Sequence, residues 1–300
     1  MAAVQRPSGL DDVVVRVDGS EGALSAVLWA AEEALLRGSR LFLVHATDTE
    51  ALTRYLFQAE IDESRRTGRE LLARTAVTVS ARHPDVLVVE ELSDRPPSEA
   101  LRHAAALSGT IVVGHRGRGG FASLLLGSVG LRTAATVDRP VVVVRGHSAT
   151  GRPGAVLAAV RDDHDLGCAR AAAREALLRQ RPLRLLHVWR IPWTRGERTA
   201  SRDHPCDQAA DHVLAQARME VLLRDEFPDL KTEIEGARNP SVAAALVEAT
   251  RDACLLVADG HRGPGYLWPI LGRTTLALLQ HAHCPVELIP RHAPGHGSTS

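Results

Sequence analysis

Two stretches of this chain occur twice, in the same order. Glu33–Ala46 (EALLRGSRLFLVHA) returns as Glu175–Val188 (EALLRQRPLRLLHV), and Thr110–Gly120 (TIVVGHRGRGG) returns as Leu255–Gly265 (LLVADGHRGPG). His45 and His187 lie 142 residues apart, and Gly114 and Gly260, which open the shared Gly-His-Arg-Gly, lie 146 apart. Each later stretch leads into a helix-like apolar segment, then a proline and a short apolar run: RPVVVVR from Arg139 and CPVELIP from Cys284. Ordered self-similarity at a fixed period marks a duplicated unit. A length of 300 residues likewise suits two domains better than one core. The expected domains are 10–147 and 154–291, joined by the Gly-, Pro- and Ser-containing Arg145–Gly154, with 292–300 a disordered tail.

Within each copy, apolar runs alternate with amphipathic ones. In the first, Asp12–Val17, Arg40–Ala46, Asp85–Leu92, Thr110–Val113 and Val141–Val144 read as strands. Helices are expected over Gly22–Arg37, Ala51–Arg82 and Pro97–Leu107. The second copy repeats the order, from Val156–Val160 through Val286–Ile289. Continuous Val- and Leu-rich strands separated by helices call for a parallel sheet covered on both faces. The fold class is therefore α/β: two tandem Rossmann-like domains, each a five-stranded, mostly parallel sheet with helices on both faces. If the last strand of each copy lies at a sheet edge, its backbone requires cover.

Composition narrows the function classes. The formal net charge is zero, so no overall field draws the chain to nucleic acid or to an anionic membrane. No run approaches the ~20 apolar residues of a membrane span, and the first residues, without a charged region followed by an apolar one, give no expectation of a secretory signal. Cys168, Cys206, Cys254 and Cys284 form no CxxC pair, as in a reduced, cytoplasmic protein.

In an open parallel sheet, ligands bind beyond the carboxyl ends of the strands, where the strand order reverses. Gly114, Gly117, Gly119 and Gly120 follow the fourth strand there, and Gly127-Ser128 opens the next helix. Free N–H groups, the helix dipole and the Ser128 hydroxyl make an anion site that suits a phosphate chain. Read without further context, the same glycines also suit a plain strand-to-helix turn.

The spacing Gly114-x2-Gly117-x9-Gly127-Ser128 resembles the ATP-binding signature of the universal stress protein family, and Val-Asp-Gly-Ser at 17–20 resembles the end of that family's first strand. The resemblance covers nearly the whole chain twice, in the tandem form of actinobacteria. It implies adenine and ribose contacts from Val17 and Asp18, and an apolar wall from Val44. A ribose and phosphate loop would come from Val113, Gly114, Gly117, Gly127, Ser128 and Val129. Taken alone, Asp18 is also a turn or helix-cap residue.

The second copy departs from this pattern. Eight residues separate Gly263 from Gly272, Arg273 replaces the serine, and Arg161 aligns with Asp18 unless a one-residue shift offers Asp162. It is expected to bind ATP weakly or not at all. His281-x-His283-Cys284 is a crowded metal candidate without a second ligand cluster. His115, His261, Arg116 and Arg118 lie in the glycine loops, where they either touch a ligand or are solvated. No catalytic residue is assigned. The expected function is that of an ATP-binding stress-response module, with Mg, an unknown protein partner and a homodimer of tandem chains. The alternatives are a slow ATPase and a nucleotide-independent interaction scaffold.

Overall fold

The computed structural model describes residues 12–50, 57–105, 109–115, 127–146, 152–189, 205–260, 262–263 and 270–290, with side chains of 205–213, 215, 262–263 and 270 excepted. The chain divides into two compact units, Met1–Thr150 and Gly151–Ser300.

The first unit runs β1 (Asp12–Arg16), α1 (Glu21–Arg37), β2 (Arg40–Ala46), α2 (Gln58–Arg82), β3 (Leu87–Ser93), α3 (Pro97–Ala104), β4 (Gly109–Gly114), α4 (Ser128–Thr136) and β5 (Val141–Val144). The order across its sheet is β3-β2-β1-β4-β5. All four pairings are parallel, so the α/β expectation holds. From β1 the chain moves outward to β2 and β3, then returns to the other side of β1 for β4 and β5. That reversal opens a crevice at the carboxyl ends of β1 and β4. Val13, Val14, Val15, Val112 and Val143 show no exposed surface, as strands covered on both faces require. Among the helices, α1 packs with α2 and α3 with α4.

Local chemistry sets the helix ends. The Ser20 hydroxyl accepts from the Ala23 N–H at 3.1 Å and caps α1. At its other end Gly38 takes φ 60° and donates to the Ala34 and Leu35 carbonyls. Pro97 occupies the first turn of α3, where its missing N–H has no partner to lose.

The second unit repeats the plan: β6 (Ala155–Ala159), α5 (Leu166–Leu178), β7 (Leu183–Trp189), α6 (Pro205–Glu226), β8 (Thr232–Arg238), α7 (Val242–Ala249), β9 (Ala253–Asp259), α8 (Arg273–His281) and β12 (Val286–Ile289). Its order is β12-β9-β6-β7-β8, again all parallel. Two features were not anticipated. A short 3-10 turn, Asp163–Asp165, precedes α5. A two-residue strand β10 (Arg262–Gly263) pairs antiparallel with β11 (Ile270–Leu271) between β9 and α8. At the start of this unit Arg152 donates to the Ala253, His283 and Arg251 carbonyls at 3.0, 2.9 and 2.5 Å, tying three segments together.

The repeated EALLR has a physical reason. In α1 the Arg37 Nε donates to Glu33 at 2.6 Å, with the two side chains 9% and 1% exposed, and Nη1 reaches Thr110 Oγ1 on β4 at 3.3 Å. Arg179 and Glu175 form the same buried pair in α5. The two copies thus repeat an i,i+4 ion pair at the end of the first helix.

Candidate functional site

The crevice of the first unit is built from the strand ends upward. One residue past β1, the Val17 N–H donates to the Val44 carbonyl on β2 at 2.8 Å, so these two residues are joined. The Val17 carbonyl in turn lies 2.7 Å from His45 Nδ1, which makes Nδ1 the protonated ring nitrogen. Val17, Val44 and Val113 are each no more than 3% exposed. Their side chains hold the sheet end together, and the Val17 peptide is engaged on both sides.

Asp18 is the best-connected residue of the site. Its Oδ2 accepts from Arg16 Nη1 at 2.7 Å, and its Oδ1 accepts from the Ser20 N–H at 3.0 Å and the Ser20 hydroxyl at 2.6 Å. It therefore shapes the turn into α1, the role its residue type suits without any ligand. An ionised carboxylate has about four acceptor positions, so roughly one is left for a ligand hydroxyl. The importance of Arg16 is not visible in sequence, although its place two residues before Asp18 near the strand end is the signal for the pair.

Gly114 also has an internal reason to be glycine. A Cβ there would stand 2.4 Å from the Gly22 carbonyl oxygen and 2.6 Å from its carbon, on the first turn of α1. The fourth strand can approach the first helix this closely only without a side chain. Beyond it, the His115 N–H donates to Val144 O at 3.0 Å, and His115 O accepts from Gly127 N at 2.8 Å. The two ends of the glycine loop are thus clasped. Gly117, Gly119, Gly120, Arg116 and Arg118 lie outside the described residues. Gly127 is the N-cap of α4; Ser128 is exposed and Val129 half-buried at its first turn. There the N–H groups of the helix start have no intrahelical acceptor.

A polar network at the ends of β2 and β3 escaped the sequence reading. Asp94 accepts from Arg65 Nε and Nη2 at 3.1 and 2.7 Å, and from the Thr47 and Thr49 hydroxyls at 3.1 and 3.2 Å. The Arg65 hydrogen bonds, with help from the threonines, hold the Asp94 carboxyl at about 2. No motif links these four residues; the pairing of β2 with β3 brings them together.

The second unit corrects the alignment read from sequence. Ile111 N donates to Pro140 O, and Leu256 N to Pro285 O; Gly114 lies opposite Val144 in the ladder, and Asp259 opposite Ile289. The strands therefore correspond at a spacing of 145, and so do the N-caps Gly127 and Gly272. Asp259, not Gly260, is the counterpart of Gly114, and the shared Gly-His-Arg-Gly is displaced by one residue against the fold. The apparent deletion before Gly272 disappears with this shift. Val160 N donates to Leu186 O at 3.1 Å as Val17 N does to Val44 O, so Arg161 stands at the position of Asp18 without a slip. Asp162 takes over only the turn, accepting from the His164 N–H at 2.9 Å. His261 lies outside the described residues. Of the metal candidate, Cys284 is buried and its thiol is pushed up to about 12 by burial, which keeps it protonated.

The model of the universal stress protein family matches residues 9–145 and, a second time, residues 154–290. The chain belongs to the universal stress protein family. This universal stress protein is 34% identical over 140 residues to one from Mycolicibacterium smegmatis, covering 44% of this chain and 45% of that one. It is 32% identical over 185 residues to one from Mycobacterium tuberculosis, covering 58% and 63%. The matches thus span from under half to under two thirds of those relatives' lengths. A universal stress protein from Archaeoglobus fulgidus superposes with a TM-score of 0.71, over 94% of this chain and 99% of that one, at 16% identity, a likeness of fold. Among the described residues of this family member, no helix is long and apolar enough to cross a membrane.

Proposed function

We propose that the first unit binds ATP, with Mg, in the crevice beyond β1 and β4, and that nucleotide occupancy governs a stress-response role through shape or partner choice. The observation that carries this reading is the clasp between His115 and Gly127. It presents the exposed start of α4 at the same carboxyl end of the sheet where Asp18 follows the first strand. The donors suit the ligand: backbone N–H groups and the Ser128 hydroxyl for phosphate oxygens, and the remaining Asp18 acceptor for a ribose hydroxyl. Gly117 and its neighbours complete the site in this reading. A homodimer of tandem chains and a protein partner belong to the same proposal.

The test is direct. Purified protein is denatured and assayed for released adenine nucleotide, and the native chain is titrated calorimetrically with Mg-ATP. Saturable heat that is lost in Gly117→Asp is expected, whereas no released nucleotide and no heat at micromolar protein would discard the proposal. Following ADP in the same samples tests slow hydrolysis. The interaction-scaffold reading is favoured by one observation, the engagement of Asp18 with Arg16 and Ser20, and predicts that Asp18→Asn changes folding stability but no ligand binding.

A further inference from the structure

We infer that the corresponding crevice of the second unit is closed to adenine nucleotides by an ion cluster, Arg161 with Asp165 and Asp259, built where the first unit has Asp18, Ser20 and Gly114. The inference extends the ATP reading of the first unit and rests on it only for the choice of ligand.

The strand registers place Arg161 at the position of Asp18 and Asp259 at that of Gly114. Asp165 is the N-cap residue of α5, as Ser20 is of α1. In the first unit Gly114 lies against the Gly22 backbone with no side chain between them. In the second, Arg161 donates to Asp165 through Nε at 3.1 Å, Nη2 at 3.0 Å and its own backbone N at 2.8 Å, and reaches Asp259 through Nη2 at 2.8 Å. The Asp165 side chain has no exposed surface and that of Asp259 is 9% exposed. Three hydrogen bonds from the guanidinium and one from the backbone N–H thus hold Arg161, whose side chain is 52% exposed, against two carboxylates with little exposed surface.

Three consequences oppose a nucleotide. The ribose position changes from acceptor to donor, because guanidinium has no acceptor to offer a hydroxyl. Where the first unit has Gly114, the Asp259 carboxylate adds a negative charge that opposes a phosphate group at this strand end. The same negative field is felt nearby: burial pushes the Cys168 thiol well up, and Asp165, Asp259 and Glu287 push it further. Finally, the cavity at these strand ends measures about 110 Å³, with apolar Val160, Leu186, Leu246 and Leu278 beside Arg161 and Asp259. Pockets for nucleotide-sized ligands begin at about 300 Å³.

Equilibrium dialysis of labelled Mg-ATP against the full chain decides the matter by counting nucleotides per chain. Wild type is expected to bind one, and Arg161→Asp/Asp165→Ser/Asp259→Gly, which transplants Asp18, Ser20 and Gly114, is expected to bind two. Asp259→Asn, which removes charge while keeping shape, is expected to tighten second-site binding at least tenfold, and it decides alone if the triple variant does not fold. Two nucleotides on wild type overturn the inference. So does an unchanged count in every variant whose circular dichroism and melting show it folded. If wild type binds none, the ATP reading of the first unit fails separately; a nucleotide gained by the variants then still supports the closure, and none gained overturns it.

Discussion

Single residues in this protein serve turn and packing together with the proposed ligand role, and substitution separates those roles. Asp18 accepts three hydrogen bonds within its own turn. Asp18→Asn keeps the shape but weakens both the ion pair with Arg16 and any bond to a ribose hydroxyl. ATP affinity should fall about tenfold, about 1.4 kcal/mol, with a smaller change in melting temperature; calorimetry beside a thermal melt checks both. Gly114 behaves in the opposite way. A methyl at this position must displace the Gly22 carbonyl, since the new Cβ would be 2.4 Å from its oxygen. Overpacking of this kind costs about 1–3 kcal/mol, so Gly114→Ala should lower the stability of the first unit whether or not nucleotide is present. A variant as stable as wild type would show that the helix start yields easily.

At the scale of elements, polar groups between helix and sheet stabilise in ways that hydrophobic pattern does not report. Arg37→Met removes the Arg37 ion pair from the buried Glu33, and the loss should be about 3 kcal/mol. Replacing both, Glu33→Leu/Arg37→Met, should recover most of it, and a urea double-mutant cycle reads the difference. The network on Asp94 gives a pH signature. Its folded value of about 2 lies below the ordinary 3.8, so its contribution is complete above about pH 4 and is lost as pH falls toward 2. The Asp94 and Arg65 side chains are 37% and 35% exposed, and screening limits the contribution to about 1 kcal/mol. Asp94→Asn should flatten the stability profile of the first unit between pH 4 and 2, and an unchanged slope there would assign the acid sensitivity elsewhere. These elements were largely legible in advance. Strand alternation, Pro97 and the apolar runs mark nearly every one to within a few residues. The 3-10 turn at Asp163–Asp165 and the β10–β11 pair were not, because three- and two-residue elements are held by tertiary partners and have no periodicity of their own.

At the scale of the whole molecule, the two units differ in ways that can be read separately. All four cysteines lie in the second half of the chain. Cys168, Cys254 and Cys284 are buried, and burial raises each thiol, Cys284 to about 12. In a Cys206→Ser background at pH 8, these thiols should react with a disulfide reagent only as fast as the second unit opens, and all at once in guanidinium. A fast burst of labelling in native buffer would contradict the burial. Thiol reactivity thus follows the second unit, whereas the proposed nucleotide binding belongs to the first.

The sequence by itself determined the duplication, the order of strands and helices, the parallel sheet and the region where the crevice opens. Each follows from local pattern: repeated segments, apolar runs of strand length, and glycines at a strand-to-helix turn. Tertiary structure alone decided which residues of the two copies correspond. The shared Gly-His-Arg-Gly suggested Gly114 with Gly260, yet the ladders pair β4 and β9 with their neighbours so that Gly114 corresponds to Asp259. A loop can slide by one residue at little cost, but a strand cannot, because a one-residue slip turns every side chain to the opposite face of the sheet. The same long-range pairing brings Arg161 to Asp259, 98 positions away, and so sets the second crevice apart from the first.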